Sequence, residues 1–202
     1  MPLKLAPRIT LYRFDSPAPS IAEGWLALPQ IPRPATGASA FGDGSHPTTR
    51  LCASAVDLLC RQRQPEAVLD VGTGTGVLAR IARARGAHFV AGTDIDPLAL
   101  SCAEAHSALD THPVEIHLSA AAPDHWGARF DLVVANILEE PLRQLALALS
   151  RALRPGGFLL LSGFTRPQTP ALRILYERTG VSFVRESHLD EWALLMFERC
   201  RD

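Results

Sequence analysis

Val68-Leu69-Asp70-Val71-Gly72-Thr73-Gly74-Thr75-Gly76 is the stretch from which the rest of the chain can be read. A short apolar run with the character of a buried strand enters a loop with glycine at every second position. A helical pattern begins directly after it, at Val77. Eighteen residues beyond Gly76, a second apolar run closes on Asp94. Strand, glycine loop, helix, strand and acid form the layout of a nucleoside-cofactor site. Glycines admit close backbone approach where a Cβ would collide. A helix N-terminus turns free N–H groups and a positive dipole end outward, here expected toward the ligand. A carboxylate at the second strand end can accept both hydroxyls of a ribose. The spacing then discriminates among nucleosides. A dinucleotide fingerprint places its third glycine three residues after the second. Here Gly76 follows Gly74 by two and Val77 holds the reserved position, which disfavours a nicotinamide dehydrogenase.

The chain of 202 residues suits one domain with a full core. Its 47% apolar and 20% charged residues are ordinary for a globular protein. A net charge of −1 gives no general pull toward nucleic acid. Arg80, Arg83 and Arg85 share one helix and read as its solvated face, without the aromatic partners that an RNA-binding stripe would use. The first residues hold no apolar stretch suited to a signal peptide, and no later run suits a membrane span. Cys52, Cys60, Cys102 and Cys200 form no Cys-x-x-Cys pair. They indicate neither a zinc site nor a disulfide framework, so the expectation is reduced thiols in a cytoplasmic protein with no metal.

Residues 1–40 contain seven of the sixteen prolines and two strand-like pieces, near Ile9–Phe14 and Trp25–Leu28. They read as an arm packed on a main domain of residues 41–202. From Phe41 onward helix and strand patterns alternate. A helix begins at Pro47, with a stripe of Leu51, Cys52, Ala55, Val56, Leu58 and Leu59. Strands are expected at Val68–Val71, Phe89–Thr93, Val114–Leu118, Leu132–Ala135 and Phe158–Ser162. Helices are expected at Val77–Arg85, from the Asp96-Pro97 cap, at Pro141–Leu153 and at Pro170–Thr179. The last of the strands, Ser182–Ser187 and Trp192–Glu198, are close enough in sequence to pair antiparallel. Short, nearly all-apolar middle strands suit a parallel sheet covered on both faces. The expected fold is α/β: a doubly wound, mostly parallel sheet of about seven strands with an antiparallel edge. Its crevice should lie at the strands' carboxyl ends.

Three segments carry a family resemblance. Asp70-x-Gly72-x-Gly74-x-Gly76 resembles the first motif of class I methyltransferases, which bind S-adenosylmethionine. Ala40-Phe41-Gly42-Asp43-Gly44-Ser45-His46-Pro47-Thr48-Thr49 and Val134-Ala135-Asn136-Ile137-Leu138-Glu139-Glu140-Pro141-Leu142 resemble segments of the PrmA family, the methyltransferases of ribosomal protein L11. The likeness extends through Asp94-Ile95-Asp96-Pro97, Leu161-Ser162-Gly163, Gln168 and Glu191-Trp192, over roughly residues 23–198. It departs at Thr73, where the family commonly has cysteine, at Asp43 and Ser45, which stand for threonines, and at Glu139-Glu140, which replaces a small pair.

The resemblance implies a Rossmann-like enzyme that transfers methyl groups from S-adenosylmethionine to protein amines. Carried over by position, it places Thr49, Gly72, Asp94 and Asn136 at the cofactor; Asp70 and Gly74 join them from the first motif. Asn136 doubles as the catalytic candidate, since its amide oxygen can accept N–H bonds from an amine. Glu139 is a candidate for steering a cationic substrate, against the plain reading of an acid favoured at a helix start. Trp192 is a candidate substrate platform, against core or rim. Asp96 reads as a helix cap, and His46 as a residue that orders the turn before Pro47. The family also carries an N-terminal domain that grips the ribosomal protein, and only forty residues precede Phe41 here. The expectation is weak action of this chain alone on that protein. Two alternatives stay open: a small-molecule amine methyltransferase, and a non-catalytic module that binds S-adenosylmethionine. Oligomeric state is not legible.

Overall fold

A computed structural model describes residues 2–31, 40–110 and 116–201. It contains two sheets. The smaller is built from β1 (Leu3–Ala6), β2 (Ile9–Arg13) and β3 (Leu26–Gln30), in that order, with β1 antiparallel and β3 parallel to β2. The main chain then continues as α1 (Pro47–Arg63), β4 (Ala67–Val71), α2 (Val77–Ala84), β5 (Phe89–Thr93), α3 (Pro97–Ser107), β6 (Ile116–Ser119), β7 (Phe130–Asn136), α4 (Glu139–Gln144), α5 (Ala146–Ala152), β8 (Leu153–Thr165), α6 (Thr169–Glu177), β9 (Val181–Leu189) and β10 (Trp192–Arg199). Seven of these strands form one sheet in the order β6-β5-β4-β7-β8-β10-β9. The first five run parallel, and β10 is antiparallel to both β8 and β9. The expected doubly wound sheet with an antiparallel edge is the observed one.

Strand period explains the two cores. Val68, Val90, Val134, Leu160 and Leu194 point to one face, under α1 and α2. Their neighbours Leu69, Ala91, Val133 or Ala135, Leu161 and Leu195 point to the other, under α4, α5 and α6. Leu5, Ile9 and Leu11 from β1 and β2, and Leu28 from β3, join the first core. The small sheet is therefore fused to the side of the molecule that carries α1. Strand order reverses between β4 and β7, which opens a crevice at their carboxyl ends.

Three details correct the sequence reading, and a fourth lies outside what the structure describes. β1 is a third strand in the N-terminal region, short enough to be hidden between Pro2 and Pro7. The helix expected over 141–153 starts at Glu139 and is jointed at Leu145, whose φ of −89° and ψ of 2° lie in the bridge region. Apolar spacing runs through the joint unchanged, so periodicity does not register it. β8 starts at Leu153, because Pro155-Gly156-Gly157 is absorbed as a register shift against β7. Val114 and Glu115, expected to open β6, lie outside the described residues.

The largest correction concerns the arginines of α2. Arg80 and Arg83 are only 1% and 3% exposed, and both pair with Asp110 after α3. Arg80 also donates to the Pro29 carbonyl at 2.5 Å, and Arg85 pairs with Asp57 of α1. The supposed solvated face is an inner seam joining α2 to α1, α3 and the small sheet. A helix wrapped by polar partners has the same i, i+3, i+5 charge pattern as one facing water.

Candidate active site

The glycine loop is built by contacts within the protein. Gly72, Gly74 and Gly76 all have left-handed φ, at 70°, 55° and 76°. A Cβ on Gly72 would lie 2.1 Å from Cγ2 of Ile137, and one on Gly74 would lie 2.2 Å from the Phe41 carbonyl oxygen. The glycines thus admit two distant segments, the ones carrying the Phe41 and Asn136 motifs, against the loop. Every loop amide is used. Gly72 and Thr73 donate to the Thr93 carbonyl (2.8 and 2.9 Å), Thr75 to that of Phe41 (2.8 Å) and Gly76 to that of Thr73 (2.8 Å). Gly74 donates to Asp94 Oδ2 at 3.0 Å. No nest of free N–H groups is left to cradle a pyrophosphate.

Asp70 lies beneath this loop, wholly buried and away from the cleft. Its Oδ2 accepts from Thr73 Oγ1 at 2.8 Å and from the Ala79 amide at 3.2 Å. It therefore tethers the start of α2 from within, where the sequence reading had that helix end facing the ligand. Burial pushes the Asp70 carboxyl up to about 7; the two hydrogen bonds oppose that rise, and the charge of Asp94 adds to it.

A cleft of about 600 Å³ runs along the carboxyl ends of β4, β5, β7 and β8. On one side stands Asp94, half-buried, its Oδ1 accepting from the Asp96 amide at 3.1 Å. Each carboxylate oxygen has a second lone pair for a hydroxyl. Ile95 is 95% exposed beside it, an apolar face on the cleft that Ala120–Pro123 also line. Asp96 caps α3 by accepting from the Leu98 amide at 2.9 Å, as its position before Pro97 implied.

On the other side Asn136 ends β7, in register with Ser162 of β8. Its Oδ1 is buried and has no partner, and so is Thr49 Oγ1. Orphaned buried oxygens are uncommon, and of these two only Asn136 belongs to a residue on the cleft lining. Phe41, His46 and Trp192 line the same side as a run of edge-to-face rings, with centroids 5.1 and 4.6 Å apart. His46 caps α1: its Nδ1 accepts from the Thr48 amide at 3.3 Å and pairs with Thr48 Oγ1 at 2.8 Å.

The structure thus brings Gly72, Gly74, Asp94, Asn136 and Trp192 to one cleft. Asp70, Thr49 and Glu139 are not on its lining; Thr48 is. Glu139 is held by Arg143 at 2.6 Å and by Gln168 Nε2. The reading along the chain missed Ile95 as an open apolar face, Thr48, and the grouping of Phe41 and His46 with Trp192. The last was signalled only by two aromatic motifs some 150 residues apart. No group of three or more potential metal ligands occurs among the described residues. No helix among them is long and apolar enough to cross a membrane.

Sheet order, glycine loop and the acid after the second strand define the Rossmann-like fold of class I methyltransferases. A solved ribosomal protein L11 methylase from Lactobacillus delbrueckii superposes with a TM-score of 0.85, at 26% identity over 99% of both chains. Magnesium protoporphyrin IX methyltransferase from Synechocystis, solved with bound S-adenosylmethionine, shares the fold at a TM-score of 0.60 and 20% identity, over 75% of this chain and 82% of that one.

The family model described as ribosomal protein L11 methyltransferase (PrmA) matches residues 36–200, and the chain belongs to that family. The ribosomal protein L11 methyltransferase of Geobacter sulfurreducens is 42% identical over 158 residues, 78% of this chain and 51% of its own length. That of Bradyrhizobium diazoefficiens is 41% identical, over 80% of this chain and 57% of its own. The chain spans about half the length of the curated relatives it matches.

Proposed function

We propose that this protein is an S-adenosylmethionine-dependent N-methyltransferase acting on protein amino groups; its relatives are named as methyltransferases of ribosomal protein L11. The observation that carries the reading is the cleft itself, with a half-buried carboxylate at one end and the orphaned amide oxygen of Asn136 at the other. The residues present fit S-adenosylmethionine. Asp94 would accept from the ribose hydroxyls, Ile95 and Ala120–Pro123 would offer apolar surface to the base, and Gly72 and Gly74 would keep the floor low. The bound cofactor supplies a methyl group on a positively charged sulfur.

What the chain must then do is place a neutral amine in line with that group and keep water out. A lysine ammonium has a reference pKa of about 10.4, so its proton has to leave before attack. Asn136 Oδ1 accepts one remaining N–H, which aims the lone pair. Phe41, His46 and Trp192 enclose the amine's approach with low-polarity surface, which disfavours the charged form and favours loss of the proton.

Incubation with S-adenosylmethionine tritiated in the methyl group and a fractionated bacterial extract tests the reading. Label in a polypeptide band is expected. Label in a small metabolite would assign the small-molecule alternative, and no label despite cofactor binding would assign a binding module.

A further inference from the structure

Glu139, three residues after Asn136, is not on the cleft lining, and its carboxylate is fully engaged. Oε1 accepts from Arg143 Nε at 2.8 Å and Nη2 at 2.6 Å, and Oε2 accepts from Gln168 Nε2. The sense of the Gln168 amide is fixed by its other bonds. Its Oε1 takes the Thr165 amide at 2.7 Å and Thr165 Oγ1 at 2.9 Å, so its NH₂ must face Glu139. Thr165 pairs with Trp192 across β8 and β10, and the neighbouring Arg166 amide donates to the Glu191 carbonyl at 2.9 Å. One glutamine therefore links the segment after Asn136 to the corner that holds Trp192.

A second fastening lies alongside. Gly163 has φ of +97°, and a Cβ there would fall 2.1 Å from the Ile137 carbonyl oxygen. Only a residue without a side chain lets the Asn136–Leu138 segment lie across the end of β8. Asn136 Oδ1 has no bond of its own to hold it. Its aim depends on the backbone that carries it, and that backbone is gripped at Ile137 and at Glu139.

We propose that Glu139 and Gln168 act as positioning residues: a clasp that holds the Asn136 segment and the Trp192 corner at a fixed separation, and so sets the placement of the amine. The proposal rests on the reading of Asn136 as the amine acceptor. Misplacement of about 1 Å costs on the order of 100-fold in rate. Gln168→Ala is expected to lower kcat at least about tenfold while leaving affinity for S-adenosylhomocysteine within about twofold, because Asp94 is bonded to the Gly74 and Asp96 amides and to neither clasp residue.

The rescue is specific. In the double variant Glu139→Gln with Gln168→Glu every bond finds a partner again. The carboxylate at 168 accepts from Thr165 and from the new amide at 139, whose oxygen accepts from Arg143. The double variant is expected to recover kcat to within about threefold, which restored polarity alone explains. Amide hydrogen exchange over residues 137–145, measured with S-adenosylhomocysteine bound, should quicken in Gln168→Ala and return to the parental rate in the double variant. Parental kcat in Gln168→Ala, no recovery in the double variant, or unchanged exchange would each overturn the clasp. Full activity of Asn136→Ala in the same assay would instead overturn the reading of Asn136, and the exchange measurement would still decide whether the clasp holds the segment.

Discussion

Replacing Asp94 by alanine removes a carboxylate with two kinds of work, and the structure separates them. Within the protein it accepts from the Gly74 amide at 3.0 Å and the Asp96 amide at 3.1 Å. Toward the proposed cofactor its remaining lone pairs would accept from two ribose hydroxyls. Bonds to a charged group contribute roughly 1.5–3 kcal/mol each. Two of them give about 3–6 kcal/mol, and half of the lower figure is already a tenfold change in affinity at about 1.4 kcal/mol per decade. Affinity for S-adenosylhomocysteine should therefore fall at least about tenfold, and by on the order of 100-fold or more if both bonds form fully. The half-buried position of Asp94 favours the upper part of that range, because water replaces a lost bond less well there. Loss of the two internal bonds, valued in the same way, should lower stability by up to about 3–6 kcal/mol. Calorimetric titration measures the affinity, with urea unfolding as the control for folding. Unchanged affinity in a folded variant would refute the placement of the ribose.

Three further outcomes follow from packing and charge. Gly74→Ala puts a Cβ 2.2 Å from the Phe41 carbonyl at φ of +55°, and should cost about 2–5 kcal/mol in urea unfolding; an unchanged midpoint would contradict the close approach. Asp110→Ala leaves Arg80 and Arg83 buried without their carboxylate and should destabilise by about 3–5 kcal/mol, whereas a loss under about 1 kcal/mol would mean that both guanidiniums reach water. Asp70 holds its proton to about 7 in the folded protein and to about 3.9 when unfolded. The native state therefore binds more protons between those values, and stability should fall as pH rises from about 4 to about 7 and level off above. Asp70→Asn should flatten that slope in urea midpoints measured from pH 4.5 to 8; an unaltered slope would assign it to other groups.

The fold was legible because its elements are local. β4, α2, β5 and the Asp96 cap come from short patterns in which apolar period, glycine and proline agree. The position of the cleft was legible where a polar residue closes an apolar strand, as at Asp94 and Asn136, and both line it. The site was not legible where a side chain's direction depends on a distant partner. Glu139 reads as a free acid at a helix start until Gln168, on another element, turns it aside. Asp70 sits in a ligand-binding motif, but its carboxylate points into the core toward Ala79 and Thr73. Arg80 and Arg83 look solvated until Asp110 is seen to cover them. A local pattern is the same whether water or a buried partner lies ahead of the side chain, so these cases share a single cause.

The central claim, that Asn136 aims an amine at the methyl group, is tested most directly by comparing Asn136→Ala with the parent in two measurements on the same preparation. One is initial-rate transfer of tritiated methyl from S-adenosylmethionine to the acceptor identified from extract; the other is calorimetric affinity for S-adenosylhomocysteine. Removing an interaction made to the reacting nitrogen should lower turnover by about 100-fold, with cofactor affinity within a few-fold of the parent. Parental turnover in Asn136→Ala, or a loss of affinity that matches the loss of turnover, would contradict the account.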